Sequence, residues 1–139
     1  MNNWFVLSLI SAIGFGIIPL FVKSLQDSIS LQVLAAWYYT VAAILLWIIA
    51  FATTKVKVPD IKSFGLIFIV AAIAVIADLA IFYAYKLSSN AGFPRSVQTL
   101  SIVIATIMSA LLYQQFPSAV GIIGTVVIFL GVAMFAFTK

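Results

Sequence analysis

Long apolar stretches separated by short polar segments are the main pattern of this chain. In a helix, about 20 apolar residues at roughly 1.5 Å rise each cross a hydrocarbon core of about 30 Å. The stretches that are long enough are Trp4–Val22, Val33–Ala52, Phe64–Tyr85, Phe93–Tyr113 and Ala119–Phe137. Because a membrane span must satisfy its own backbone hydrogen bonds, each is predicted to be an α-helix. The pattern therefore predicts an all-α integral membrane protein with five transmembrane helices in a single domain, residues 1–139.

Polar and turn-forming residues separate the predicted spans. Pro59 and Asp60 precede the third span, the segment 88–90 precedes the fourth, and Pro117 opens the fifth; such residues are typical of helix ends. The segment before Trp4 has no positive charge, and no small-residue cleavage site follows the first apolar stretch. The first span is therefore expected to stay in the membrane rather than act as a signal peptide.

The composition excludes several classes of function. The chain is 65% apolar and 7% charged, with a mean hydropathy of +1.29, and contains no Cys and no His. Without these residues, disulfides, haem, common zinc sites and Ser-His-Asp catalysis are excluded. We expect no cofactor, no metal and no enzyme activity. The net charge of +4 comes from membrane-edge residues, which favours contact with anionic lipid over nucleic acid.

The charges at the ends of the spans favour neither orientation in the membrane. With an odd number of spans, the face that holds the N-terminus carries Lys55, Lys57 and Lys62. The opposite face carries Lys23, Lys86, Arg95 and Lys139. The positive-inside rule needs an imbalance to set a topology. The sequence leaves open a single orientation set weakly by the lysines at 55–62 and a chain that inserts in both orientations.

Asp78 is the one acidic residue that lies inside a predicted span. It is the only charge in the 22 residues of Phe64–Tyr85. An ionisable group at this depth is costly unless it is paired or faces a water-filled cavity, so it is a functional candidate. Two interpretations remain open: Asp78 couples transport to a proton or cation, or it forms a structural ion pair with Arg95 or Lys86.

Several other polar and aromatic residues are predicted to lie in the same half of the membrane as Asp78. Aromatic faces beside a carboxylate suit an amine or a cationic amphiphile, through cation–π attraction and charge. Trp37, Tyr38 and Tyr39 lie at a depth similar to that of Asp78, and alternatively they form part of an interfacial aromatic belt. The candidate residues for substrate binding and coupling are Asp78, Arg95, Trp37, Tyr38, Gln98 and Lys23.

Glycine and proline mark two further features of the spans. Gly14, Gly16 and Pro19 are predicted to loosen the first span as a hinge, although tight helix packing is an equal alternative. Gly124 and Gly131 lie seven residues apart in the fifth span. Small residues at such spacing form helix-packing surfaces, and we expect this notch to contact another helix or a second copy.

Three stretches of the chain resemble the EamA-type drug/metabolite transporter superfamily. In the first span, Gly16 followed by Lys23 resembles the family's Trp-Gly…Lys pattern, with Phe15 in place of Trp. The segments 82–86 and 90–92 resemble its Tyr-rich helix end and Ser/Ala-rich link. Gly124, Gly131 and Val132 resemble its Ile-Gly-x6-Gly-Val ending. The usual Gly-Glu pair before that ending is replaced by Gln114 and Gln115.

The resemblance implies one five-helix repeat of a transporter. In larger members, two such repeats in opposite orientation surround a central cavity, so a lone repeat is expected to pair with an inverted copy of itself or with a paralogous five-helix subunit. Small four-helix multidrug transporters are similar, but place a Glu in the first span, where this chain has no acid.

The expected function is transport or export of a small organic solute, a metabolite or a cationic amphiphile, by an antiparallel homodimer in a prokaryotic plasma (inner) membrane. In this hypothesis Asp78 is the coupling or gating group. The alternative is a non-catalytic subunit, half of a heteromeric transporter or of a lipid-linked sugar flippase, in which Asp78 forms a structural ion pair.

Overall fold

The structure is a computed structural model that describes residues 3–135. Its helices are α1 (Asn3–Leu25), α2 (Leu31–Thr53), α3 (Ile61–Leu87), α4 (Gly92–Gln98), α5 (Leu100–Tyr113) and α6 (Ala119–Phe135). The described residues contain no strand. The predicted all-α membrane fold is confirmed, and its helices fit the five predicted. Four segments are long and apolar enough to cross a membrane, namely α1, α2, α3 and Gly92–Tyr113, which combines α4 and α5; α6 is a shorter apolar helix of 17 residues. Residues 136–137 of the predicted fifth span, and Lys139, lie outside the described residues.

The chain divides into two compact units. One, which we call the hairpin unit, comprises Leu20–Leu87; the other, the terminal unit, comprises the residues up to Pro19 together with those from Ser88 onward. The division falls inside α1, directly after the proline that was predicted to be part of a hinge. Helix α1 nevertheless continues through Pro19, although proline there cannot donate to the carbonyl of Phe15.

The hairpin unit is built on α2 and α3, which lie antiparallel. Short polar caps fix both helix ends at the connecting loop. At the end of α2, the hydroxyls of Thr53 and Thr54 donate to the carbonyls of Ile49 and Ala50, at 2.7 and 2.9 Å. At the start of α3, the carboxylate of Asp60 accepts from the Ser63 amide at 3.3 Å, as an N-cap residue does.

Burial in the hairpin unit is concentrated far from that loop. The buried side chains are Val22, Leu31, Leu34, Ala35, Phe82 and Tyr85. In contrast, α3 between Ile61 and Ala77 is exposed along its whole length except at Ala74, which is half-buried. Apart from Lys62 and Ser63 at the start of the helix, these exposed residues have no polar side chain, so lipid or another protein surface must cover them.

The terminal unit contains α4, α5 and α6 and the first part of α1. Its loop before α4 depends on an Asx turn, in which the Asn90 side-chain oxygen accepts from the Gly92 amide at 2.8 Å. A Cβ at Gly92 would lie 3.1 Å from that oxygen, so glycine suits this close approach. Phe93 and Phe135 pack with ring centroids 5.5 Å apart, and Val132 is buried.

The fourth span is broken at Thr99, which was not expected from the sequence. Thr99 has φ −63° and ψ −13°, and its amide donates to the carbonyls of Ser96 and Val97. Its hydroxyl also donates to the Ser96 carbonyl, at 2.5 Å. Threonine and serine hydroxyls compete with the helical hydrogen bonds of nearby carbonyls, which explains the tightened turn between α4 and α5.

Candidate functional site

A hydrogen bond between Tyr39 and Asp78 joins the two helices of the hairpin unit. The Tyr39 hydroxyl donates to Oδ2 of Asp78 at 2.7 Å, and both side chains are half-buried. Within residues 20–87, the partner of this carboxylate is therefore a hydroxyl group rather than the Lys86 ammonium. The pairing of Asp78 with Arg95, which belongs to the other unit, stays a prediction.

The antiparallel arrangement of α2 and α3 explains why these two residues meet. Residues at similar distances from the connecting loop lie at the same level of a helical hairpin, so a residue early in α2 faces one late in α3. Gln32 and Tyr83 form a second hydrogen bond between the helices, nearer the ends of the hairpin. The rings of Tyr38 and Phe82 also meet between the helices, with centroids 6.2 Å apart in an edge-to-face contact. The Tyr39–Asp78 pair is thus one of several contacts that hold this end of the hairpin together.

Trp37 and Tyr38 line a shallow groove on α2. The groove has a volume of about 310 Å³, and its wall is completed by Val41, Ala42 and Leu45. All of these residues belong to α2, so the lining of the groove comes from one helix. Trp37 is 62% exposed, which fits either a substrate-binding or a belt role.

Arg95 lies in a second cluster, in the terminal unit, which we call the Arg95 cluster and which consists of Phe15, Arg95 and Gln98. The guanidinium carbon lies 4.9 Å from the centroid of the Phe15 ring, within the range of cation–π attraction. Nη1 of Arg95 donates to Oε1 of Gln98. Two of the predicted site residues, Arg95 and Gln98, are therefore brought together.

The remaining predicted residues are distributed over both units. Lys23 lies in the last turn of α1, where a cation is favoured by the helix dipole. Gly14 and Gly16 have open space beside them, and so do Gly124 and Gly131: a Cβ at any of these positions would meet no described atom within 4 Å. The glycine notch on α6 is thus not filled by the described part of the chain itself. Its role in packing against a partner stays a prediction.

The list of candidate site residues omits two residues that the structure places beside charged groups, Tyr39 and Phe15, although the sequence places Tyr39 at a depth similar to that of Asp78. A signal for Tyr39 is present, because its distance from the loop between α2 and α3 is close to that of Asp78. Phe15 has no comparable signal, because it meets Arg95 through tertiary packing alone. Among the described residues, no group of three or more metal-binding side chains occurs.

Apolar helices of spanning length, with a half-buried carboxylate between two of them, define a polytopic integral membrane protein. Comparison with known families makes the class specific: the model of the EamA-like transporter family matches residues 2–137. The chain belongs to this family, and it is a membrane transporter of small solutes. Members of the family are transporters rather than enzymes, in agreement with the expectation for this chain. No curated protein and no solved structure matches the chain.

Proposed function

We propose that this protein is a secondary transporter of a small organic solute, that it works as an antiparallel homodimer, and that Asp78 is its coupling group. The observation that carries the proposal is the Tyr39–Asp78 pair, a half-buried carboxylate with a hydroxyl donor at 2.7 Å. A polar pair of this kind inside a membrane span is costly to keep for packing alone.

The chemistry of the pair suits an exchange between a proton and an organic cation. A carboxylate binds either the proton or the organic cation, so the two compete for its oxygens. The Tyr39 hydroxyl both donates and accepts hydrogen bonds, so it remains a partner of Asp78 in the charged and in the protonated form. Competition of this kind couples the movement of the solute to the movement of the proton.

The surroundings of the pair favour a solute with an aromatic or aliphatic body and a positive charge. Tyr38 packs edge-to-face against Tyr39, with ring centroids 5.4 Å apart, and Trp37 and Tyr38 line the groove on α2. Aromatic faces attract organic cations, while the apolar wall of the groove accommodates their hydrocarbon parts.

Surfaces that the described chain leaves uncovered support the proposed dimer. The glycine notch on α6 is open, and α3 exposes apolar residues from Ile61 to Val70 on all sides. A second copy in the opposite orientation would cover such surfaces and enclose the groove. The near-equal basic charge on the two membrane faces supports insertion in both orientations. A prokaryotic plasma membrane is the proposed location.

Flux measurements on reconstituted protein test this proposal. Proteoliposomes that contain a pH-sensitive dye are given a pH gradient, and ethidium, methyl viologen and choline are added in turn as organic cations. Wild-type protein should release protons from the side that takes up the cation, and Asp78→Asn should fold and dimerise but lose this response. Asp27→Asn, which removes an exposed loop carboxylate, is the matched control.

The same variant separates coupling from a structural role. If Asp78 serves only as one half of a buried ion pair, its neutralisation strands the partner charge, at a cost of about 3–5 kcal/mol. Expression and thermal stability would then collapse before flux can be measured. Normal stability together with an unchanged pH dependence of flux would refute the role of Asp78 as the coupling group.

A further inference from the structure

Arg95 carries a positive charge that no acidic side chain of its own unit can neutralise. The chain has three acidic residues, Asp27, Asp60 and Asp78, and all of them lie in Leu20–Leu87. The terminal unit therefore contains Arg95 but no Asp and no Glu. Among the described residues of this unit, the side chains that contact the guanidinium are neutral.

The neutral neighbours hold the guanidinium in place without cancelling its charge. Phe15 presents its ring to one face of the group at 4.9 Å, and Gln98 accepts a hydrogen bond from Nη1. Among the described residues this is the hydrogen bond that Arg95 makes. A guanidinium has five N–H donors, so most of them remain available on a side chain that is half-buried and oriented.

Other polar groups near Arg95 do not supply negative charge either. The Ser96 hydroxyl donates to the Gly92 carbonyl at 2.9 Å, and the Thr99 hydroxyl donates to the Ser96 carbonyl. Both hydroxyl protons are thus committed to the backbone. The cluster is a fixed cation with neutral supports, which is the arrangement that selects a planar or tetrahedral oxyanion.

We propose that the Arg95 cluster is a binding site for an oxyanion, a carboxylate or a phosphate group. Arg95 is the fourth residue of the fourth span, roughly 5 Å from its start. This depth is that of lipid headgroups and of the entrance for a soluble ligand. The bound group therefore belongs either to an anionic solute or to a lipid, and in both cases it makes a bidentate contact with the guanidinium. The inference does not depend on coupled transport, but it competes with an ion pair between Asp78 and Arg95, because such a pair would already neutralise the guanidinium.

Binding of soluble anions is tested on the full chain in nanodiscs of phosphatidylcholine alone. Inorganic phosphate and succinate are titrated by calorimetry at constant ionic strength, with chloride as the reference salt. If the ligand is a solute, one of these probes should bind, and Arg95→Gln should weaken it about tenfold or more, the effect of losing a hydrogen bond to a charged group. Lys62→Gln removes an exposed cation at the membrane edge and should leave binding unchanged.

Gln98→Glu provides a test that does not remove the arginine. This nearly isosteric change places a carboxylate where the Gln98 oxygen accepts from Nη1. The negative charge of the carboxylate then neutralises the guanidinium of Arg95. The variant should fold at least as stably as wild type and lose oxyanion binding. If Arg95 has only a structural role, wild type binds no oxyanion and Gln98→Glu causes no loss of binding.

Lipid binding is distinguished by native mass spectrometry of protein from mixed phosphatidylglycerol and phosphatidylcholine vesicles. Retention of phosphatidylglycerol by wild type and Lys62→Gln, but not by Arg95→Gln or Gln98→Glu, assigns the site to a lipid phosphate. If wild type binds neither the soluble anions nor phosphatidylglycerol, or if Gln98→Glu binds them as wild type does, the proposal is overturned.

Discussion

The hydroxyl of Tyr39 and the carboxylate of Asp78 lie 2.7 Å apart and join α2 to α3 inside the membrane-spanning part of the hairpin unit. Tyr39 lies well inside α2 and Asp78 well inside α3, so neither polar group is at a helix end. The relationship gives the carboxylate a partner that carries no charge.

Removing the Tyr39 hydroxyl is predicted to weaken the hairpin and change coupling. Tyr39→Phe should lower the free energy of unfolding by about 0.6 kcal/mol, and by no more than about 1.7, the range measured for side-chain hydrogen bonds between membrane helices. Proton-coupled flux should shift in its pH dependence, because Asp78 loses a donor. Unfolding in mixed micelles and proteoliposome flux measure the two effects. Tyr113→Phe, at a ring that is 72% exposed, should change neither. If Tyr39→Phe has the stability and the pH dependence of flux of wild type, the hydrogen bond contributes to neither property.

Both orientations of the wild-type chain are predicted to be present in one membrane. C-terminal reporters specific for the cytoplasm and for the exterior should both give signal in a single population of cells. Gln115→Lys together with Phe116→Lys adds charge to a loop that has none. The face with Lys55, Lys57 and Lys62 then exceeds the other, and the N-terminus should become cytoplasmic. The same positions changed to Ser are the control, and labelling of wild type from one side alone would rule out the antiparallel homodimer.

Filling the glycine notch on α6 with a larger side chain is predicted to weaken the dimer. Gly131 has open space for a Cβ among the described residues, so Gly131→Leu should not disturb the fold of the chain itself. It should separate the helices at the interface and raise the dimer dissociation constant about tenfold, which corresponds to about 1.4 kcal/mol. Single-molecule photobleaching in vesicles gives the dimer fraction. Ala133→Leu, at an exposed alanine on a different face of α6, is the control; equal effects of the two variants would remove the glycine notch from the interface.

A glycine at the end of α5 is predicted to stabilise the protein. Gln114 has φ 55° and ψ 27° and is the one non-glycine residue with positive φ in the described part of the chain. In this conformation a residue with a Cβ costs about 1–2 kcal/mol relative to glycine. Gln114→Gly should therefore raise the unfolding free energy by about 1 kcal/mol. Gln115→Gly should give no such gain, and a gain at both positions would refute the conformational explanation.

The start of α3 is predicted to depend on pH through Asp60. Hydrogen bonds from the Ser63 side chain and then from its backbone amide lower the pKa of Asp60 below its ordinary value of 3.8. A carboxyl group whose pKa is lowered by folding stabilises the fold above its unfolded pKa, and this contribution is lost as the pH falls through the folded value. Asp60→Ala should therefore lower the melting temperature at pH 7. The difference in melting temperature between Asp60→Ala and wild type should narrow below pH 3.8. Asp60→Asn keeps a capping oxygen without titrating; a constant difference between Asp60→Ala and wild type at every pH would exclude the charge effect.

Much of the fold follows from the sequence because the membrane restricts it. Apolar stretches of spanning length can satisfy their backbone only as helices, so the position and type of each span are local properties of the chain. Asp78 is identifiable in the same way, because one charge in a long apolar stretch stands out without any knowledge of its neighbours. Family membership also follows from the sequence, because glycines and polar links recur at spacings that the helices require.

The partners of the charged residues were decided by tertiary structure. Tyr39 donates to Asp78 because the antiparallel packing of α2 and α3 brings the two to one level, and Phe15 faces Arg95 because α1 and α4 belong to one unit. The break at Thr99, in contrast, is local, because the Ser96 and Thr99 hydroxyls donate to carbonyls four and three residues before them in the chain. A hydrophobic pattern defines which stretches enter the membrane. It does not define which face of a span meets lipid, because apolar side chains occur on every face. Which face meets a neighbouring helix, and hence which polar groups pair, depends on close packing between side chains that are distant in sequence.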